Sequence, residues 1–229
     1  MDSHRRTAII VGVLFIIATA APMISAVFFG PVYDPDYLTA VSANENQVLI
    51  VVFLLLTMTA AVVLIPIMMF PILKKHNESL ALGYVGARIF EGFFSAANVI
   101  NLLSLLSLSR EFVNAGAPDV SHFQTSGALI LAQFDWVSIL LDFPFTLSAL
   151  VLNYLLYQSK LVPRWLSIFG LIGGALWLVT TPFRMFGLFP PSLEILAIII
   201  AAQEMVFAVW LIIKGFNSSA IASLSTKAS

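Results

Sequence analysis

The chain has 229 residues, 60% of them hydrophobic and only 10% charged, with a formal net charge of -1 and a mean hydropathy of +0.99. Soluble domains carry about 25% charged residues, so this composition excludes an ordinary soluble fold and points to an integral membrane protein. No polybasic run offers a nucleic-acid surface. The absence of cysteine removes disulfides, thiolate catalysis, cysteine-ligated zinc, iron-sulfur clusters and prenyl or palmitoyl anchors.

In chain order, MDSHRR precedes an apolar run over residues 7–30. It exceeds a secretory h-region and lacks a small-x-small cleavage site, so it reads as an uncleaved first span, with Pro22 a tolerated kink. The loop 31–46 holds Asp34, Asp36 and Glu45 and no basic residue. Residues 47–73 form a second span interrupted by Pro66 and Pro71, and Lys74, Lys75 and His76 a short basic turn. A third span over 79–108 contains Arg88, Glu91, Ser95, Asn98 and Asn101. Residues 110–124, with Gly116, Pro118 and Asp119, read as a polar connection able to carry a short helix or to fold over a site mouth. The fourth span, 127–157, is longer than the roughly 20 residues that a bilayer core requires, so a tilt or a kink at Pro144 is expected. A basic turn over 158–164 leads to a fifth span, 165–189. Pro190-Pro191 stops it, and 192–213 make a sixth span. The single transmembrane domain then covers 1–216, and 217–229 read as a polar, serine-rich tail without structure.

Arg5, Arg6, Lys74, Lys75, Lys160, Arg164, Lys214 and Lys227 fall on one side of these spans and Arg110 on the other. The positive-inside rule then places both termini in the cytoplasm. The expected fold is an all-α integral membrane bundle of six transmembrane helices. Trp136, Trp165, Trp210, Tyr33 and Tyr157 suit interfacial anchors, whereas Trp177 is deep enough for packing inside the bundle.

The polar residues inside the spans carry whatever function the sequence shows. At about 100° per residue, Asp142, Thr146 and Asn153 fall within about 20° of Asp135, one polar stripe on an apolar rod. Intramembrane carboxylates are costly enough to face other helices or a wet cavity. Counting depth by helical rise brings Glu91, Asp142 and Glu204 together near the bilayer midplane, with Asp142 the strongest single candidate. Arg88 then pairs with Glu91 or Asp142, and Arg184 with Asp135 nearer the outer face. Four carboxylates against two arginines leave an imbalance that protons or a bound cation would relieve. Carboxylate and amide oxygens, Asn98 included, suit a hard metal ion or an organic amine, and no spacing separates the two. The rival reading is structural: ion pairs and hydrogen bonds of Asn98, Asn101, Asn153 and Gln203 that hold the helices in register.

Smaller features are weaker. Gly170-x-x-x-Gly174, with Gly173, suits close helix packing within the bundle more than dimerisation. His4, His76 and His122 lie outside the apolar spans, and Asn77-Glu78-Ser79 and Asn217-Ser218-Ser219 read as chance glycosylation matches. No zinc-protease, P-loop, buried-serine or paired-aspartate motif is present, so an enzyme acting on a lipid ranks third and no cofactor is implied.

The segments FPFTLSALVLNYLLYQSKLVPRWLSIFGLIGG, GYVGARIFEG and QEMVFAVWLIIKGF resemble the bacterial multi-pass proteins grouped as domain of unknown function 4386. The resemblance runs from the first span through Phe216, and its most specific part is the turn Tyr157 to Arg164. Arg88, Glu91, Tyr157, Ser159, Pro163, Arg164 and Glu204 fit the family pattern. It implies a bacterial inner-membrane protein, and it supplies no catalytic residues. The expected function is binding of a small ligand, proton or cation at the midplane for transport or sensing. The alternative is a structural or accessory subunit, with the lipid bilayer as partner in either case.

Overall fold

A computed structural model describes residues 3–116, 120–190 and 195–227, which are helices joined by turns with no strand among them. The helices are α1 (Ser3–Ala26), α2 (Tyr37–Ala43), α3 (Glu45–Leu73), α4 (Glu78–Asn114), α5 (Val120–Ser159), α6 (Arg164–Met185), α7 (Leu196–Ile213) and α8 (Ser218–Lys227), with one 3-10 turn at Gly30–Val32. Six of them, α1 and α3 to α7, are long and apolar enough to cross a membrane. Pro22, Pro66, Pro71, Pro144 and Pro182 all lie inside these helices, as membrane helices allow when neighbours supply the missing partners.

The spans form a closed ring in chain order. Each packs on its sequence neighbours, α1 on α3, α3 on α4, α4 on α5, α5 on α6 and α6 on α7, and α7 returns to α1. Both described chain ends therefore lie at one end of the bundle, the terminal end. The core there is dense: Val11, Phe15, Ile65, Met69, Tyr84, Leu155, Leu161, Phe207 and Leu211 are fully buried in one cluster. Small residues set the closest approaches. A side chain on Gly12 would strike the Ala208 carbonyl of α7, and one on Gly170 would overlap Asn153 of α5. Gly174 lies against Leu150, and Gly173 against Ile200 of α7, so the glycine pattern of α6 serves packing on both its neighbours.

Arg5 fastens the ring. Its guanidinium donates to the carbonyls of Leu211, Ile212 and Ile213 at 3.0, 2.6 and 3.2 Å, in the last turn of α7, the helix end that favours a cation. Arg5→Ala is expected to lower stability by about 1–2 kcal/mol, read as an earlier thermal unfolding midpoint in detergent micelles.

Three expectations gain detail from the structure. Within the connection 110–124, α4 runs on to Asn114 and α5 begins at Val120, making arms of 37 and 40 residues that outreach a bilayer core. Phe112 meets Phe123 edge-on between them, and α2 packs against α4, its Leu38 carbonyl accepting from Ser109. Pro118, Asp119, Pro191 and Ser192, cited for the two connections, lie outside the described residues. The tail expected to lack structure forms α8, which buries Ala220 and Leu224 in the terminal-end core; their i, i+4 spacing is a helical signal. Asn77 and Asn217, read as chance glycosylation matches, act in helix starts: Asn77 Oδ1 accepts from Leu80 N at 3.0 Å and Asn217 Oδ1 from Ser219 N at 3.1 Å.

Candidate functional site

The ring encloses a cavity of about 820 Å³ lined by all six spans. Its walls are largely apolar: Leu55, Met58 and Val62 of α3, Phe134, Leu141 and Phe145 of α5, Trp177 of α6 and Ile200 of α7. Met23, Ala26 and Tyr33, all exposed, form part of its rim together with Phe29 and Gly30. The rim thus belongs to the end of α1 and the turn after it, at the end of the bundle opposite the termini.

Polar groups occupy the floor. Arg88 is 2% exposed and binds two carboxylates, Glu91 on its own helix at 3.1 Å and Glu204 of α7 at 3.2 Å. Glu91 stands three residues on, on the same helical face, so this part of the pairing is local. Glu204 also accepts a hydrogen bond from Thr19 of α1 at 3.1 Å. The guanidinium lies 5.6 to 5.8 Å from the ring centres of Phe15, Tyr84 and Phe145, an enclosure that favours a delocalised cation. At 1.5 Å rise per residue, Glu91 is about 20 Å from the terminal-end start of α4 and Glu204 about 14 Å from the terminal-end close of α7. Both depths lie near the middle of a bilayer core about 30 Å thick.

A second pair stands higher on the wall, where Arg184 of α6 donates to Asp142 and stacks over Trp177 at 5.6 Å. Higher again, Asn98 donates to Ser138 of α5 at 2.8 Å, while its buried Oδ1 accepts from no protein group. Arg88 Nε is likewise buried and without an acceptor. The polar residues of the cavity therefore carry two cations and three carboxylates, one formal negative charge in excess.

Glu91, Asp142, Glu204, Arg88 and Asn98 all line this one cavity, with Arg184. One expected pairing is different, and another gains a second partner. Arg184 bonds Asp142 and not Asp135, which is exposed and does not border the cavity. Seven residues separate the two aspartates, about 10 Å of helix, and a long arginine side chain from the end of α6 reaches back to the deeper one. Arg88, offered Glu91 or Asp142, takes Glu91 and Glu204. The polar stripe of α5 accordingly divides into an exposed Asp135, a cavity Asp142 and a packing Asn153, which accepts from Gln203 of α7 at 3.2 Å. Thr19, Ser138 and Tyr84 also belong to the site. Single hydroxyls in apolar runs gave no pattern by which the sequence singled them out.

No curated protein and no solved structure matches the chain. A family model described as Domain of unknown function (DUF4386) matches residues 10–215, from the first span to the turn that follows the sixth. This multi-pass membrane protein therefore belongs to that family of unknown function.

Proposed function

We propose that the protein binds a small organic cation, an amine carried on a partly apolar body, in the cavity within the ring, and uses this binding for transport or sensing. One observation carries the reading: a single arginine shared by two buried carboxylates, Glu91 and Glu204, leaves one negative charge at the floor of a roomy apolar cavity. A buried charge without a counterion is expensive, and a protonated amine would supply it. Asn98 Oδ1 offers an acceptor for a further N–H donor on the way. Among the described residues no group of three His, Cys, Asp or Glu side chains is placed to hold a metal ion, which favours the organic cation over a hard metal. Accordingly we read the membrane as a bacterial inner membrane with both termini cytoplasmic, supported by the lysines and arginines gathered at the terminal end.

The test compares 2-phenylethylamine with 2-phenylethanol, two molecules of similar shape that differ in charge. The amine is expected to raise the thermal unfolding midpoint of the purified protein clearly more than the alcohol. Glu204→Gln, which leaves Arg88 and Glu91 as a neutral pair, is expected to fold and to lose that difference. Equal effects of amine and alcohol, or a variant that responds like the native chain, would transfer the buried charges to a purely structural role.

A further inference from the structure

At the terminal end, away from the cavity rim, a groove of about 560 Å³ lies between the α5–α6 turn and the link from α7 to α8. Three of its lining residues are charged, Lys160, Arg164 and Lys214, and among the described residues no carboxylate lines it. We propose that this groove is a binding site for a phosphate group, presented by an anionic lipid headgroup or by a soluble phosphate.

The groove is a built feature. Asn217 N donates to the Leu161 carbonyl at 2.8 Å, tying together the two segments that form its walls. Lys160 has φ +57° and is the only non-glycine among the described residues with a positive φ. It occupies the left-handed position after the end of α5, its N–H bonded to the Leu156 carbonyl at 3.0 Å. Glycine or asparagine ordinarily fills such a position because other side chains are strained there. The chain places a lysine where the backbone disfavours one, and the result is a cation at the groove. Strain of this kind persists where the surroundings hold it, and it gathers at binding sites.

Among the described residues, the other two cations likewise have no carboxylate partner. Arg164 opens α6 and lies 4.9 Å from the centre of the Tyr157 ring, at the helix end that favours anions. Lys214 follows the end of α7. Arg5 reaches the same corner and is committed to the α7 carbonyls, while Glu78, a carboxylate of this end, opens α4 and does not line the groove. The wall includes Trp210, which meets the exposed Trp165 edge-on. Such a tryptophan pair belongs at headgroup depth, and basic pockets between membrane helices at that depth suit phosphate-bearing headgroups.

The experiment uses the full chain in neutral detergent micelles and follows the thermal unfolding midpoint. The titrants are dihexanoylphosphatidylglycerol, dihexanoylphosphatidylcholine and inorganic phosphate, each against sodium chloride at matched ionic strength. Phosphatidylglycerol, inorganic phosphate or both are expected to raise the midpoint beyond chloride and phosphatidylcholine. Lys160→Gly combined with Lys214→Gln is expected to weaken the apparent affinity by about tenfold. Because glycine relieves the backbone at position 160, this variant is expected to unfold no earlier than the native chain in the absence of titrant. A response to phosphatidylglycerol alone assigns the site to a lipid, and an equal response to inorganic phosphate assigns it to the phosphate group itself. The proposal is overturned if neither phosphate-bearing anion exceeds its controls, or if the double variant binds as the native chain does.

Discussion

Replacing Arg88 with methionine is expected to be the most damaging single change in the protein, at a cost of about 3–5 kcal/mol. The side chain is 2% exposed and is the one described cation paired with Glu91 and Glu204. Its loss strands two buried carboxylates without a counter-cation. Against a total stability of about 5–15 kcal/mol, the variant should express poorly or unfold at a much lower temperature. Most of the deficit should return in the triple variant Arg88→Met, Glu91→Gln, Glu204→Gln, where no buried charge remains unpaired. This separates two roles of the cluster, since a fold restored by neutral residues would still lack the charge proposed to hold an amine. A loss under about 1 kcal/mol for Arg88→Met would instead mean that these acids do not depend on the arginine.

The second large effect is expected at Gly170. An added methyl would overlap the Asn153 side chain, which is itself held between the Ala149 carbonyl at 2.9 Å and Gln203 at 3.2 Å. Three helices meet at this point, so displacement of Asn153 would disturb α5, α6 and α7 together. Gly170→Ala should destabilise by about 1–3 kcal/mol. Asn153→Ala vacates the contested volume, and the double variant should therefore lose less than the two single losses added together. Strict additivity would mean that the bundle accommodates the methyl by some other movement.

What the sequence revealed depended on how local each feature is. Six spans follow from the apolar runs, and the Arg88–Glu91 pair follows from a three-residue spacing. Depth counting placed Glu204 and Asp142 near them because helical rise is regular. It could not fix rotation or the reach of side chains, and for that reason Arg184 was assigned to Asp135 although its guanidinium reaches Asp142. The cavity itself had no signature. It arises from how six helices close into a ring, with hydroxyls such as Thr19 and Ser138 becoming polar partners only after the ring closes. The tail was misjudged for another reason: its serines outweighed the Ala220 and Leu224 spacing that buries one face of α8.

The closing contact between α1 and α7 also bears on biosynthesis. Chains emerge from the ribosome N-terminus first, so α4 enters the membrane with Arg88 and Glu91 already able to neutralise each other one turn apart. Glu204 and the carbonyls that Arg5 holds arrive only with the last span. Until then there is an open arc of helices with no enclosed cavity and with Thr19 facing an empty seam. Closure of the ring is therefore a single docking event, in which one incoming helix supplies a wall of the cavity, its second floor carboxylate and the lock between α1 and α7.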